Sequence, residues 1–227
     1  ILGDIYFNGY GVKQDYKKAI EYYERAAQHR NNKASLKLGI LYYYGRTVEQ
    51  NYAKSKEYFI KSAKDNIYEA FYYLGQIYEK GKGTEIDIEE SIKYYKKCAE
   101  NQIETISIDY NKGTTHFKIQ NEKFYHSNNN LGLIYLLKYN DTQLADIYLS
   151  KAGNSNFPFG KNNNGFLNYF DLNKYDKHME KAFNMFDSAS KDHFTISEFQ
   201  LGFMKEEKEG ISKSINNYKN VLKYENE

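Results

Sequence analysis

The residues of this chain that could do chemistry are few and scattered. Gly9-Tyr10-Gly11 and Gly81-Lys82-Gly83 could open a phosphate-binding loop, in which backbone amides cradle an anion. Neither follows a strand or extends to Gly-x-Gly-x-x-Gly, and the pattern recurs at a fixed period, so no cofactor is expected. Cys98 could be a reactive thiol, but it takes a place held by Ala26 and Ser62 elsewhere in the chain, which predicts a buried packing role. His29, His116, His126, His178 and His193 lack a second Cys or a His-x3-His spacing, so no metal is expected. Asp187 to Glu198 has the acidic ends of a calcium loop. However, Ala189 and Lys191 stand where oxygen ligands are needed, and Asp192 where a turn glycine belongs. Asn140-Asp141-Thr142 is a glycosylation sequon of the kind an Asn-rich chain supplies by chance. Glu89-Glu90 and Glu206-Glu207 fall on exposed helix positions, and no Ser/His/Asp or Cys/His grouping recurs. No catalytic residue and no small-molecule substrate are expected, so the elements themselves must carry the function.

The 227 residues suffice for one or two domains, and a 41% hydrophobic content with 25 Tyr and 14 Phe can fill a sizeable core. A formal net charge of +2, spread without a basic block, gives no footprint for nucleic acid. No apolar run approaches the roughly 20 residues of a spanning helix, so no direct membrane insertion is expected. One Cys fits a reducing compartment, and the expected location is cytoplasmic, with the endoplasmic-reticulum lumen or a membrane-associated complex as the alternative.

The chain is repetitive. A Leu-Gly pair stands at Leu2-Gly3, Leu38-Gly39 and Leu74-Gly75, spaced 36 residues apart, and again at Leu131-Gly132 and Leu201-Gly202. Tyr6, Tyr42, Tyr78 and Tyr135 follow the Leu by four positions, and Ala34, Ala70, Ser127 and Ser197 precede it by four. Small residue, Leu and Tyr therefore share one face of a helix. A second amphipathic helix follows, with stripes Ala19-Tyr22-Tyr23-Ala26-Ala27, Ser55-Tyr58-Phe59-Ser62-Ala63 and Ser91-Tyr94-Tyr95-Cys98-Ala99. The stripe continues at Ala145-Tyr148-Leu149-Ala152-Gly153 and Ala182-Met185-Phe186-Ala189-Ser190, and more faintly at Ser214-Tyr218-Val221-Leu222. That makes six units, and the fifth has a poor first helix, with Asn164-Gly165 near the Leu-Gly place.

Glycine between the helices suits a left-handed helix end, and Asp15, Asn51, Asp87 or Asp141 is placed to cap the second helix. The expected organisation is three regular repeats over 1–102, an insertion at 103–123 and three degenerate repeats over 124–227. Within the insertion Ile106, Ile108 and Tyr110, the turn residues Asn111-Lys112-Gly113, and Phe117 and Ile119 predict a β-hairpin, with a loop as the alternative. The first residues fall inside a repeat without its small position, as expected of a fragment of a longer protein.

Leu2-Gly3, Tyr6, Gly9, Gly11-Val12, Asp15, Lys18-Ala19, Tyr22-Tyr23 and Ala26-Ala27 together resemble the Sel1-like repeat family, relatives of the tetratricopeptide repeats. The resemblance implies an all-α, right-handed superhelical solenoid of antiparallel helix pairs whose concave surface binds proteins or peptides. It implies an adaptor or scaffold rather than an enzyme. The alternatives are a regulatory arm of a larger enzyme such as a protein kinase, or a lumenal adaptor of an endoplasmic-reticulum degradation complex. In that architecture the outward stripe of the first helices lies one residue before, two after and six after the Leu. It comprises Lys37, Ile40 and Tyr44, then Tyr73, Gln76 and Lys80, then Asn130, Leu133 and Leu137, which are the candidate partner-binding residues.

Overall fold

The computed structural model describes residues 1–100, 104–109, 114–119, 122–153, 157–170, 175–192, 194–209 and 217. Contacts divide the chain into two compact units, Ile1–Asn101 and Gln102–Glu227.

The first unit is built from three pairs of helices: α1 (Leu2–Asn8) with α2 (Tyr16–Gln28), α3 (Asn32–Tyr44) with α4 (Tyr52–Ala63), and α5 (Tyr68–Lys80) with α6 (Ile88–Ala99). In each pair, earlier residues of one helix meet later residues of the other, so the pair is antiparallel. Gly3 faces Tyr23 while Phe7 meets Tyr16, and Gly39 faces Phe59 while Tyr43 meets Tyr52. First helices end at Gly9, Gly45 and Gly81, with φ of 74°, 67° and 64°, conformations a side chain would strain. The side chains of Asp15, Asn51 and Asp87 then accept the amides of Lys18, Lys54 and Glu90 and cap the second helices. The amides of the same three residues donate back to the carbonyls of Tyr6, Tyr42 and Tyr78, each at 2.9 Å, which fixes the length of the turn.

The motif glycine makes room for a ring. A Cβ at Gly3, Gly39 or Gly75 would lie 2.4 to 2.6 Å from Tyr23, Phe59 or Tyr95, too close for any real contact. The Tyr four residues after the Leu is half-buried, and lies face to face with a Tyr of the second helix. The ring centroids of Tyr6 and Tyr22, Tyr42 and Tyr58, and Tyr78 and Tyr94 are 5.4, 5.8 and 5.6 Å apart. Lys18 lies over Tyr6 and Lys54 over Tyr42, so the exposed edge of two of these stacks carries a cation. Cys98 is fully buried, where the repeat pattern puts it.

In the second unit, strands β1 (Glu104–Asp109) and β2 (Thr114–Ile119) pair antiparallel, with Ile106 opposite Phe117. The turn residues Asn111-Lys112-Gly113 and Tyr110 lie outside the described residues. Helices α7 (Glu122–Tyr139), α8 (Thr142–Gly153), α9 (Pro158–Phe170), α10 (Tyr175–Lys191) and α11 (Thr195–Glu209) follow. Thus α7 takes in the last residues of the expected insertion. Helix α9, expected to be poor, runs a full 13 residues. Leu131, Leu149, Ala152, Phe186 and Leu201 are buried at the positions the first unit uses, and Gly132 faces Leu149 as Gly165 faces Phe186. Tyr135 stacks on Tyr148 at 5.6 Å, and Asp141 caps α8 through the amide of Leu144. The second-helix stripe expected at Ser214, Tyr218, Val221 and Leu222 lies outside the described residues.

Candidate functional site

The first helices of the first unit lie side by side on one face, joined by side chains. Lys37 of α3 pairs with Asp4 of α1, which also accepts the Tyr23 hydroxyl at 2.8 Å. Burial raises the Asp4 carboxyl, but the hydrogen bonds from Lys37 and Tyr23 outweigh it and hold its pKa below the usual value. Between α3 and α5 a chain of hydrogen bonds runs through the tyrosines. Lys82 donates to the Tyr43 hydroxyl at 3.0 Å, Tyr43 donates to Gln76 Oε1 at 3.1 Å, and Gln76 Nε2 donates to the Tyr72 hydroxyl at 2.8 Å. The Lys82 ammonium also sits 4.4 Å and 4.9 Å from the Tyr43 and Tyr52 ring centroids. Burial lowers its pKa, while Tyr43 and Tyr52 raise it and prevail, so the lysine stays cationic.

The nine residues of the predicted stripe differ in exposure. Lys37, Tyr44, Lys80 and Leu137 are exposed, with Tyr44 at 47% and Leu137 at 75%, while Ile40, Gln76, Asn130 and Leu133 are half-buried. Tyr73 is the correction. It is 3% exposed and stacks on Phe59 with centroids 4.8 Å apart and planes within 3°, and Tyr43 flanks it at 5.2 Å. Burial, reinforced by the Tyr44 hydroxyl, pushes its phenol far above the ordinary value, so it belongs to the core. The face therefore shows Tyr44 with Arg46 over its ring, Ile40, Gln76 and the flanking lysines, above a floor of buried Tyr43, Tyr72 and Tyr73. Reading the sequence missed Tyr43. It lies one residue from the Tyr42 of the repeat pattern, and its burial comes from α5 of the next pair as well as from α4 of its own.

A second concavity, an open cleft of about 360 Å³, lies between α4, α5 and α6. Ile60, Ala63, Phe71 and Tyr94 form its apolar part, and Lys64, Lys97, Asn66 and Glu100 its polar part. Among the described residues no group of three or more His, Cys, Asp or Glu could hold a metal ion. No described helix is long and apolar enough to cross a membrane.

The three helix pairs of the first unit, each repeating its glycine, ring and cap, define a helical-repeat protein of the α-solenoid class. Residues 1–31, 32–66 and 69–102 match the family model for the Sel1 repeat, so this part of the chain carries three Sel1 repeats. Solved structures extend the fold over nearly the whole chain. One is a protective antigen of uropathogenic Escherichia coli strains displaying an SLR fold (TM-score 0.78, 24% identity), covering 98% of this chain and 44% of that one. This chain thus spans less than half the length of that antigen. Another is a Sel1 repeat protein from Oxalobacter formigenes (TM-score 0.73, 21% identity, 98% of this chain and 85% of that one). PilW, a type IV pilus biogenesis factor, is more distant (TM-score 0.54, 19% identity, 99% and 87%). Identities this low speak for the fold alone: they support the helical solenoid and lend nothing to the strand pair at 104–119. A comparison with curated proteins gave no match.

Proposed function

We propose that this chain is a protein-interaction module, an adaptor or scaffold that holds a protein partner or peptide on the face of its first helices. The observation that carries the reading is the stripe itself. On α3 and α5 the first unit offers an exposed aromatic, Tyr44, the half-buried aliphatic Ile40 and the polar Lys37, Gln76 and Lys80, and on α7 the second unit offers its own aliphatics, Leu133 and Leu137, with Asn130 beside them. Aromatic and aliphatic anchors ringed by polar groups are the composition of binding hot spots. The floor beneath Tyr44 is fixed by stacking and hydrogen bonds, so little ordering is needed when a partner settles there. Among the described residues of this face none is grouped as a nucleophile with a base, and the reading is of binding without catalysis.

The test replaces the anchors and leaves the floor. Tyr44→Glu combined with Leu137→Glu should abolish co-purification of the partner while circular dichroism and the melting temperature stay within error of the parent. Retention of the partner by the doubly substituted chain would refute the reading.

A further inference from the structure

We propose that the cleft between α4, α5 and α6 binds an acidic linear segment of a partner protein, one that lays an aromatic or branched aliphatic side chain on the cleft floor with carboxylates beside it. This is a second surface, separate from the first-helix face. The repeat itself shows that the floor is no by-product of the fold. One pair earlier, 36 residues back, Glu24 stands at the place of Ile60 and Ser35 at the place of Phe71. The junction of the second and third pairs thus carries apolar side chains where the same scaffold also accepts polar ones. Ile60 is 39% exposed, Tyr94 is half-buried, and Phe71 closes the bottom at 5%. The lining starts at Ile60 and runs toward the end of α4, so Glu57, a turn earlier, stays outside it.

Charge selects the occupant. The last turns of α2, α4 and α6 and the residues that follow them carry the cations Arg25, Arg30, Lys61, Lys64, Lys96 and Lys97 against the carboxylates Asp65 and Glu100. Arg25, Lys61 and Lys97 are exposed and repeat every 36 residues, so each pair sets a cation at the same place along this edge. Cations at helix ends also offset the partial negative charge of the last carbonyls, which by itself calls for no ligand. The cleft adds the apolar floor to them. Lys97 lies 5.6 Å and 5.8 Å from the ring centroids of Phe71 and Tyr94, so its ammonium is held at the margin of that floor. Lys64 on the other side is exposed and forms no ion pair among the described residues.

Two lysines flanking an apolar floor match an apolar side chain with acidic neighbours. Glu100 is the carboxylate that lines the cleft, and it opposes such a ligand. Glu69, half-buried on α5, acts on Tyr73 instead, which lies across that helix from Phe71. At about 360 Å³ the cleft lies at the lower end of the range of ligand sites, which suits one anchoring side chain and not a long apolar run. Affinity would come from burying that anchor, and the sign of its neighbours would set specificity.

The probe is a fluorescein-labelled peptide of Glu, Gly and Ser with a central Phe, titrated against the full chain by fluorescence polarisation, beside versions with Lys for every Glu or Ala for the Phe. The proposal expects saturable binding of the first peptide below about 1 mM, weakened by added salt, and at least about tenfold weaker binding of the other two. Ile60→Glu, which installs the residue of the earlier gap, and Lys64→Glu should each cost about tenfold, while Glu100→Gln should tighten binding about twofold. Both weakening substitutions fall on exposed positions, and an unchanged melting temperature separates lost binding from lost fold. The first-helix variant Tyr44→Glu with Leu137→Glu should bind the peptide as the parent does. No binding, equal binding of the Lys peptide, or tighter binding of a short single-stranded oligonucleotide would overturn the proposal and leave the first-helix reading standing. Binding that ignores Ile60→Glu and Lys64→Glu but is lost in the first-helix variant would overturn it too, and would put the acidic segment on the other face.

Discussion

Before the motif glycine the first unit buries Leu38 and Leu74 among apolar neighbours, whereas α9 of the second buries Asn164, 1% exposed, at the same place. Four residues on, the half-buried Tyr42 and Tyr78 correspond to Asn168, 3% exposed. The second unit tolerates this because the amides are satisfied. Asn164 Nδ2 donates to the Ser150 hydroxyl at 3.1 Å, and Asn168 Nδ2 donates to the Asn164 carbonyl at 2.7 Å. What both units keep is a glycine and the large side chain that fills its space, Gly39 with Phe59 and Gly165 with Phe186. The difference teaches that the helix pair depends on the glycine and the large side chain that fills its space, and that the Leu and Tyr around them are replaceable when hydrogen bonds compensate.

The sharpest way to break that comparison is to remove the ring from each unit. Phe59→Ala and Phe186→Ala, both wholly buried positions, should each cost about 3 to 5 kcal/mol. Chemical denaturation gives the loss, and amide exchange should show reduced protection in α3 and α4 for the first and in α9 and α10 for the second. A much smaller cost for Phe186→Ala would mean that the second unit is held by its amides instead. Gly39→Ala comes next, because its methyl would lie 2.6 Å from the Phe59 ring, and the expected loss is about 1 to 3 kcal/mol. Asn164→Leu has the smallest effect and the opposite sign. Ser150 keeps its bond to Asp146 and Asn168 keeps the Asn164 carbonyl, so the variant should stabilise the chain by about 1 kcal/mol in the same denaturation assay.

Much of this was legible in the sequence, for a physical reason. A helical period states which residues share a face, so the paired helices, the caps at Asp15, Asn51, Asp87 and Asp141, and the buried Cys98 follow from spacing alone. Spacing says nothing of what the next helix presents. Tyr73 lies on the outward stripe of its own helix, yet Phe59 and Tyr43 of the preceding pair close over it. Asn164 misled in the other direction, since a polar residue in a core position reads as a broken helix until Ser150 and Asn168 are seen beside it. Of the nine candidate partner-binding residues, the structure removes Tyr73 and leaves the others on accessible or half-buried positions.

The central claim, that partners bind the first-helix face, is tested most directly by site-specific photocrosslinking in the native cell. The photoreactive residue is placed at Lys80 or Leu137 on first helices, or at Glu57, exposed on the second helix α4. The account predicts a discrete protein adduct from Lys80 and Leu137 and none from Glu57. An adduct from Glu57 alone, or equal adducts from all three, would contradict it.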